Sequence, residues 1–485
     1  MDVQALAARL RADVGADAVL TDRQQLRTYE CDGLAHYKVM PAVVVLPRTA
    51  AQVAAAVRAC ADAGVPFVAR GSGTGLSGGA LPRADGVLIV TSQLRDIVEV
   101  DAANHCAVVE PGVINLQVTR AAAPHGYYFA PDPSSQQVCT IGGNVAENSG
   151  GAHCLKYGFT TNHVLGAELV TPDGAVVRLG GKAPDPPGYD LLGAFVGSEG
   201  TLGIATEVTV RLLRSPEVVR TLLAAFASTD DAGAAVSAII AAGVVPAAIE
   251  MMDALSIEAA EAAVHCDYPG GAGAVLIVEL DGPQSEVDAQ FGEVERLCRD
   301  CGALELRVAA DDTERALFWK GRKSAFAAVG RISPDYIVQD GVIPRTALPQ
   351  VLRKMGELSA ASGVRIANVF HAGDGNLHPL VLFDAAVPGE AERAEEVSGA
   401  ILDLCIEHGG SITGEHGVGM DKAKYMPRMY TDDDLDTMQM LRCAFDPRHL
   451  SNPGKVFPTP RLCGEVPGRR RGAHPLQDAG LAEVF

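Results

Sequence analysis

The fold of this chain is indicated by residues 66–82, which read PFVARGSGTGLSGGALP. Gly73, Gly75 and Gly78 have the GxGxxG spacing of a dinucleotide-binding turn that follows a strand. Such a turn normally opens a helix whose N-terminus faces a pyrophosphate. Pro82 follows too closely here for a helix to continue. The stretch therefore predicts an extended glycine loop whose backbone N–H groups surround an anion.

The segments around this loop predict a β-α-β unit. Residues 41–46 form a strand, Thr49 caps an alanine-rich helix that ends at Gly64, and residues 66–70 form the next strand. Further along, hairpins are expected around residues 102–105 and 172–174, and a strand over residues 208–213.

A second glycine-rich stretch strengthens the prediction of a nucleotide site. Residues 131–135 read PDPSS, and residues 140–151 read TIGGNVAENSGG. Two glycine loops with hydroxyl and amide side chains suit a long ligand that has two phosphates and a flat ring. The alternative is that each loop is only a tight turn.

The second half has a different character, with a boundary predicted near residues 215–216. Strand-like and helical segments alternate from residue 218 onward, which predicts an α+β domain with helices on one face of an antiparallel sheet. We expect a helical segment over 1–37, one domain over 38–215 and another over 216–458. Residues 459–485, which include three successive arginines, predict a mobile tail, with an interaction arm as the alternative.

Composition limits the classes of function. The 485 residues carry a formal charge of −20, which disfavours binding to nucleic acid or to anionic lipid. We expect neither a signal peptide nor a membrane span. Eleven scattered cysteines favour a reducing, cytoplasmic compartment, and peripheral attachment to the inner membrane through partners is left open. Cys298 and Cys301 form the single CxxC and are expected to be ordinary thiols.

A group of histidines and a glutamate predicts a metal site. Residues 371–378 read HAGDGNLH between two strand-like segments, so a hairpin would bring His371 and His378 together. A third ligand could come from the Gly-Glu-His-Gly sequence over residues 414–417. Two imidazoles and a carboxylate are the ligand set of an open catalytic site. The alternative for any one of these histidines is an ordinary core or surface residue.

These motifs resemble those of a known family. RGSGTG (70–75), PGV (111–113), the 140–151 stretch and GSEGTLG (197–203) are similar to the FAD-binding half of the vanillyl-alcohol-oxidase-type flavoproteins. The similarity runs to NPGK (452–455) and covers roughly residues 41–458. Within that family, residues 318–335 most resemble the flavin subunit of glycolate oxidase, next to the D-lactate and D-2-hydroxyglutarate dehydrogenases. The implied fold is α+β, with a two-part FAD-binding domain and a C-terminal substrate domain built on an antiparallel sheet.

The resemblance implies the cofactor and the residues that bind it. The first glycine loop has no histidine for covalent attachment, so FAD is expected to bind non-covalently. The residues implied for FAD are Arg70, Gly71, Ser72, Gly73, Thr74, Gly75, Pro131, Ser134, Thr140, Gly142, Gly143, Asn144, Asn148, Gly150, Glu199, Gly203, Ile204 and Asn452.

The resemblance also implies a mechanism. His371, His378 and Glu415 would bind a divalent metal (zinc, manganese or iron), and His416 would be the base, with an unperturbed pKa of about 6.5. The metal would polarise the 2-hydroxyl of a 2-hydroxy acid, and hydride would pass from C2 to the flavin N5. Arg322 would bind the substrate carboxylate through two parallel hydrogen bonds. The alternative for Arg322 is a surface ion pair.

Residue types that are missing from the sequence limit the choice of substrate and of electron acceptor. Relatives that act on 2-hydroxyglutarate carry a lysine in the strand that here reads YIVQD (336–340), so the resemblance implies glycolate or D-lactate rather than 2-hydroxyglutarate. The cysteines do not have the pattern of an iron–sulfur cluster. Electrons are therefore expected to pass to a separate protein or to a quinone, and the resemblance implies partner subunits, one of which carries iron–sulfur centres. The alternatives from other classes are a flavin-free metal hydrolase and a non-catalytic flavin subunit.

Overall fold

The computed structural model describes residues 3–35, 37–183 and 187–458. His36 and the predicted tail at 459–485 lie outside these residues. The elements of the first half are α1 (Val3–Val14), β1 (Val19–Leu20), α2 (Arg23–Arg27), β2 (Val43–Val45), α3 (Ala50–Ala63), β3 (Phe67–Arg70), β4 (Val87–Val90), β5 (Ile97–Asp101), β6 (Cys106–Val109), α4 (Asn115–Ala122), β7 (Tyr127–Tyr128), α5 (Ile141–Glu147), α6 (Cys154–Tyr157), β8 (Val164–Val170), β9 (Val176–Gly180), α7 (Leu191–Phe195), β10 (Ile204–Arg211) and β11 (Leu213–Arg214).

The β-α-β prediction is confirmed. The Thr49 side chain accepts a hydrogen bond from the N–H of Gln52 and caps α3, which ends at Gly64 with φ 64°. Strands β2 and β3 pair in parallel with β4, and β1 adds an antiparallel edge. Helices α1 and α3 pack together and bury their apolar faces in the same core as the first sheet.

The second sheet of this half has the strand order β5-β6-β10-β8-β9 and is antiparallel throughout. Both predicted hairpins are present in it, β5–β6 and β8–β9. The strand that was expected over residues 208–213 begins earlier, at Ile204, and ends at Arg211.

The prediction of a second glycine loop is wrong for its central part, because α5 covers Ile141–Glu147. A Cβ on Gly142 would lie 2.7 Å from the Cβ of Pro111. Gly142 therefore allows close packing of the helix. α5 ends at Asn148, which has a left-handed backbone with φ 52°.

The second half is built on one large sheet. Its elements are β12 (Val218–Phe226), α8 (Thr229–Ala241), β13 (Ala248–Asp253), α9 (Ala254–Val264), β14 (Ala274–Gly282), α10 (Gln284–Asp300), β15 (Glu305–Val308), α11 (Asp312–Val329), β16 (Asp335–Val338), β17 (Gly341–Val342), α12 (Leu348–Ser362), β18 (Ile366–His371), β19 (Asn376–Phe383), α13 (Glu390–Glu407), α14 (Met426–Met429) and α15 (Asp432–Phe445). The strand order is β15-β12-β14-β13-β18-β19-β16, with β17 also paired to β19, and all pairs are antiparallel.

Helices cover both faces of this sheet, so the expectation of helices on one face is wrong. Leu222 and Ala224 of β12 pack in one core with α8, α10, α12 and α13. Leu223 and Ala225, which point to the other face, pack in a second core with α9 and α11. The almost continuous apolar sequence of β14 is the pattern of a strand that is buried on both faces.

The segment after α15 returns to the first half of the chain. The backbone of Phe67 donates to the carbonyl of Leu450 and accepts from the N–H of Asn452, each at 2.8 Å. The Lys455 ammonium donates to the carbonyls of Gly78 and Leu81, at 2.6 and 3.0 Å. The end of the described chain thus supports the first glycine loop.

Among the helices that the structure describes, none combines the length and hydrophobicity that a bilayer crossing requires.

Candidate active site

A cavity of about 610 Å³ lies between the two halves of the molecule. The first glycine loop and α5 form its wall on one side, and α11, β16 and the loop that contains Glu415 and His416 form the other. A smaller cavity of about 70 Å³ adjoins the same glycine loop. The cavities therefore connect the predicted nucleotide loops with the predicted metal site.

The walls of the large cavity suit a ligand rich in hydrogen-bond acceptors. The Oγ1 atom of Thr140 is buried and has no hydrogen-bond partner among the described residues. A Cβ on Gly71 would lie 2.1 Å from that oxygen, so the backbone approaches it as closely as only glycine allows. Because buried hydroxyl groups are almost always paired, this site fits a phosphate-bearing nucleotide.

Most residues implied for the cofactor line one of these cavities. Those on the large cavity are Gly71, Ser72, Gly73, Thr74, Gly75, Ser134, Thr140, Gly143 and Asn144. Those on the small cavity include Arg70, Gly142, Glu199, Gly203 and Ile204.

Four residues implied for the cofactor, Pro131, Asn148, Gly150 and Asn452, lie outside the walls of both cavities. Two of these hold neighbouring backbone instead: Asn148 accepts from the N–H of Thr161 at 2.8 Å, and Asn452 donates to the carbonyl of Glu199 at 2.6 Å. The roles of all four in binding the cofactor stay predictions.

The structure brings the three predicted metal ligands together. His371 and His378 lie on β18 and β19, joined by a tight turn in which Gly375 has φ 82°. The Oε1 atom of Glu415 lies 3.1 Å from Nε2 of His371 and 3.0 Å from Nε2 of His378. The second carboxylate oxygen of Glu415 is buried without a hydrogen-bond partner among the described residues. This donor set fits a divalent cation.

A further carboxylate, Glu250, orients the first ligand and was missed by the sequence analysis. Its Oε1 atom lies 2.7 Å from Nδ1 of His371, the ring nitrogen that does not face Glu415. A carboxylate partner on the second nitrogen fixes the tautomer of a metal-binding histidine. The available signal was a charged residue with apolar neighbours on both sides in strand β13.

Arg322 is almost fully buried, with 2% of its surface exposed. Its Nη2 atom lies 2.6 Å from Oε2 of Glu250, so the guanidinium forms a buried ion pair and the alternative of a surface ion pair is wrong. Arg322 does not line the large cavity. Its Nε atom has no hydrogen-bond partner among the described residues, so one donor is left for a carboxylate. The predicted grip on substrate stays a prediction.

The ring of His416 lies on the cavity wall and stacks on His378, with ring centroids 4.9 Å apart and planes at 14°. Burial lowers the pKa of His416 to about 4, although the negative charge of Asp340 acts in the opposite direction. The pKa of His416 is therefore lower than the expected value of about 6.5. At neutral pH the imidazole is uncharged and can accept a proton.

Asp340, also missed, organises the loop that presents Glu415 and His416. Its carboxylate accepts from the hydroxyl of Thr413 at 2.5 Å, from the backbone N–H groups of Gly414 at 2.9 Å and His416 at 3.0 Å, and from Lys422 Nζ at 3.2 Å. The side chains of Glu415 and His416 line the same cavity. The backbone bends directly after them at Gly417, which has φ 83°.

His153 joins the two halves of the chain beside this site, and no local pattern predicted it. Its Nδ1 lies 2.9 Å from Asp132 in the first half, and its Nε2 lies 3.3 Å from Glu279 in the second. The ring also stacks on Trp319. Burial alone would lower the pKa of His153, but the two carboxylates outweigh it and raise the pKa to about 10.

Comparison with known proteins places these features in a family. Residues 215–456 match the family model described as FAD linked oxidases, C-terminal domain, and residues 41–180 match the FAD binding domain. The glycolate oxidase subunit GlcD of Escherichia coli is 52% identical over 456 residues, with 94% of this chain and 91% of that protein covered. The chain belongs to the FAD-linked oxidases. The predicted resemblance and the prediction of an FAD cofactor are thus confirmed.

Other relatives of this FAD-linked oxidase include the D-lactate dehydrogenase of Archaeoglobus fulgidus, 31% identical over 417 residues, with 85% of this chain and 91% of that protein covered. Among solved structures, p-cresol methylhydroxylase with substrate bound superimposes with a TM-score of 0.78 at 18% identity, over 93% of this chain and 96% of that one. The 4-ethylphenol oxidase of Gulosibacter chungangensis also superimposes with a TM-score of 0.78, at 17% identity, over 94% of this chain and 97% of that one. These similarities confirm the predicted fold class.

Proposed function

We propose that this chain oxidises a small 2-hydroxy acid, glycolate or D-lactate, to the 2-oxo acid, with non-covalent FAD and a divalent metal. The observation that carries the proposal is the position of His416, whose ring stacks on a predicted metal ligand and faces the cavity of the FAD-binding loops. The names of the relatives, glycolate oxidase subunit and D-lactate dehydrogenase, support this substrate class.

The residues divide the chemistry between them. When bound, the metal (zinc, manganese or iron) would supply Lewis acidity at the 2-hydroxyl, and FAD would supply a hydride acceptor. His371, His378 and Glu415 hold the metal position, and Glu250 keeps His371 in the tautomer that leaves Nε2 free. Neutral His416 accepts the hydroxyl proton at an imidazole nitrogen. Arg322 does not line the large cavity, and we propose that its Nε, which has no partner among the described residues, donates to the substrate carboxylate.

The wall of the cavity supports a short substrate. Strand β16, which reads Asp-Tyr-Ile-Val, offers no cation to a second carboxylate. Lys323 also lines the cavity, but its side chain lies at the exposed surface. Lys323 is therefore the cation that the second carboxylate of 2-hydroxyglutarate would need to reach, and a test of substrate class includes this acid.

Electrons leave the reduced flavin through a partner. The relatives named as subunits indicate that such proteins work in assemblies. We propose an electron-accepting subunit, with iron–sulfur centres, or a quinone as the acceptor. We also propose a cytoplasmic location, with attachment at the inner membrane through these partners. The flavin-free hydrolase has lost its support because the chain belongs to an FAD-binding family.

The decisive experiment is anaerobic reduction of the bound flavin by a panel of 2-hydroxy acids. Glycolate or D-lactate should bleach the flavin absorbance near ~450 nm within one turnover. 2-Hydroxyglutarate should react more slowly, and a 2-oxo acid serves as the unreactive control. If no acid in the panel bleaches the flavin of metal-loaded protein, the non-catalytic subunit is the correct function.

A further inference from the structure

Glu147, the last residue of α5, places a carboxyl group where the two cavities adjoin. Its Oε2 atom is buried and has no hydrogen-bond partner among the described residues. The residue lines both cavities. We propose that Glu147 contacts the bound FAD and donates a hydrogen bond to an acceptor atom of the isoalloxazine ring.

The carboxyl group lies at the reactive end of the large cavity. A Cβ on Gly417 would lie 2.2 Å from Oε2 of Glu147, so Glu147 touches the residue that follows His416. On the other side, a Cβ on Gly79 would lie 2.5 Å from Oε1. A base and a hydride acceptor must reach adjacent atoms of one small substrate. The flavin ring therefore lies beside His416, and this step rests on the proposed function.

The neighbouring groups leave Glu147 as a neutral carboxylic acid. Burial raises the pKa of Glu199 as well, but Glu199 accepts from the backbone N–H groups of Val418 and Gly419, at 2.7 and 2.6 Å, which favour its charged form. Burial and the negative charge of Glu199 raise the pKa of Glu147 well above its ordinary value.

The nearby ammonium groups do not pair with Glu147. Lys422 donates to Asp340 at 3.2 Å, and Lys455 donates to two backbone carbonyls. A protonated carboxyl group has one O–H to donate, and a buried donor requires an acceptor. The ligand of the cavity is the group that can supply it.

A donor at this place changes the flavin as well as binding it. Reduction adds negative charge to the ring system, and a hydrogen bond to a charged acceptor is stronger than one to a neutral acceptor. Glu147 therefore stabilises the reduced flavin more than the oxidised flavin, and it makes the midpoint potential less negative.

Two substitutions separate the donor from the shape of the side chain. Glu147→Gln keeps an N–H donor of similar size, whereas Glu147→Met keeps the length and removes the donor. We would measure the Kd of the apoprotein for FAD by flavin fluorescence, and the midpoint potential by dye-equilibrated reduction without substrate. For Glu147→Met we expect about tenfold weaker FAD binding. We also expect the potential to fall by about 30 mV, which corresponds to tenfold in a two-electron couple. Glu147→Gln should keep both values close to wild type.

Each outcome decides the proposal. If both variants keep the wild-type Kd and potential, Glu147 does not contact the flavin. If both lose them to the same extent, hydrogen-bond donation is wrong. Thermal unfolding of each apoprotein identifies a variant that fails to fold, and Glu147→Ala then replaces Glu147→Met as the donor-free variant. Because neither measurement uses a 2-hydroxy acid, failure of the proposed substrate class would leave the result intact.

Discussion

Glu250 lies 2.7 Å from His371 across two neighbouring strands of the large sheet, and it takes the ring nitrogen that faces away from the metal position. The two residues are paired in register on β13 and β18, so the sheet itself sets the contact. A proposed metal ligand of the hairpin is thus oriented by a buried charge that comes from a distant part of the sequence.

We predict that Glu250→Gln weakens metal binding, because the amide no longer carries the charge that fixes the His371 tautomer and balances Arg322. Loss of such an outer partner typically costs about 10–100-fold in metal affinity. Metal titration of the apoprotein measures it. Glu258→Gln, an exposed position on α9, is the control and should bind metal like wild type. Equal metal affinity in the Glu250 variant would contradict the prediction.

The Glu415→Gln variant should also weaken metal binding, for a different reason. The substitution removes the anionic oxygen that lies near the Nε2 atoms of both histidines. Activity should return as the metal concentration is raised, whereas FAD content stays at the wild-type level. Metal content after dialysis and the activity against metal concentration test this expectation. A variant that holds metal like wild type would remove Glu415 from the ligand set.

His416→Asn should behave in the opposite way. The variant should retain metal, FAD and substrate binding but lose the proton acceptor, and flavin reduction should slow by about 10²–10⁴-fold. Single-turnover reduction and metal analysis on the same preparation separate the two roles. Near wild-type reduction, or loss of the metal, would show that His416 is not the base.

Removal of the metal with a strong chelator should abolish substrate-dependent bleaching and leave FAD bound. The reason is that the proposed ligands come from the second half of the chain, whereas the glycine loop and α5 come from the first. Readdition of metal should restore bleaching. Release of FAD together with the metal would mean that the two sites are not independent.

His153 predicts a pH dependence of stability. Its pKa is raised in the folded protein, so its contribution to stability is complete below about pH 6.5, the ordinary histidine value, and is lost as the pH rises toward 10. The Tm difference between wild type and His153→Asn should therefore shrink across that range. His105→Asn, at an exposed turn, is the control. A difference that stays constant would show that His153 is not charged in the folded state.

Local patterns predicted the parts of the structure that local physics determines. Thr49 and Gly64 delimit α3 because a cap and a left-handed glycine are local signals, and the hairpin of His371 and His378 follows from its own turn. Helix α5 was missed because glycine disfavours helices in isolation, and packing against Pro111 overrides that preference.

Contacts between distant residues could not be derived from the sequence. Glu250 and His371 are 121 residues apart, and Asp340 and His416 are 76 apart. Single buried charges in apolar strands indicate that a partner exists, but they do not identify it. Arg322 shows the same limit. An arginine was expected to bind a carboxylate of the substrate, but the carboxylate it contacts in the structure belongs to Glu250 of the sheet.

The return of the chain's last described segment to the first glycine loop has a consequence for biosynthesis. Lys455 donates a hydrogen bond to the carbonyl of Gly78, which is synthesised 377 residues earlier. During most of translation, the first half of the chain therefore lacks the segment that supports its glycine loop. We therefore expect stable loading of FAD to follow the synthesis of residues 450–455 and their docking on the first half.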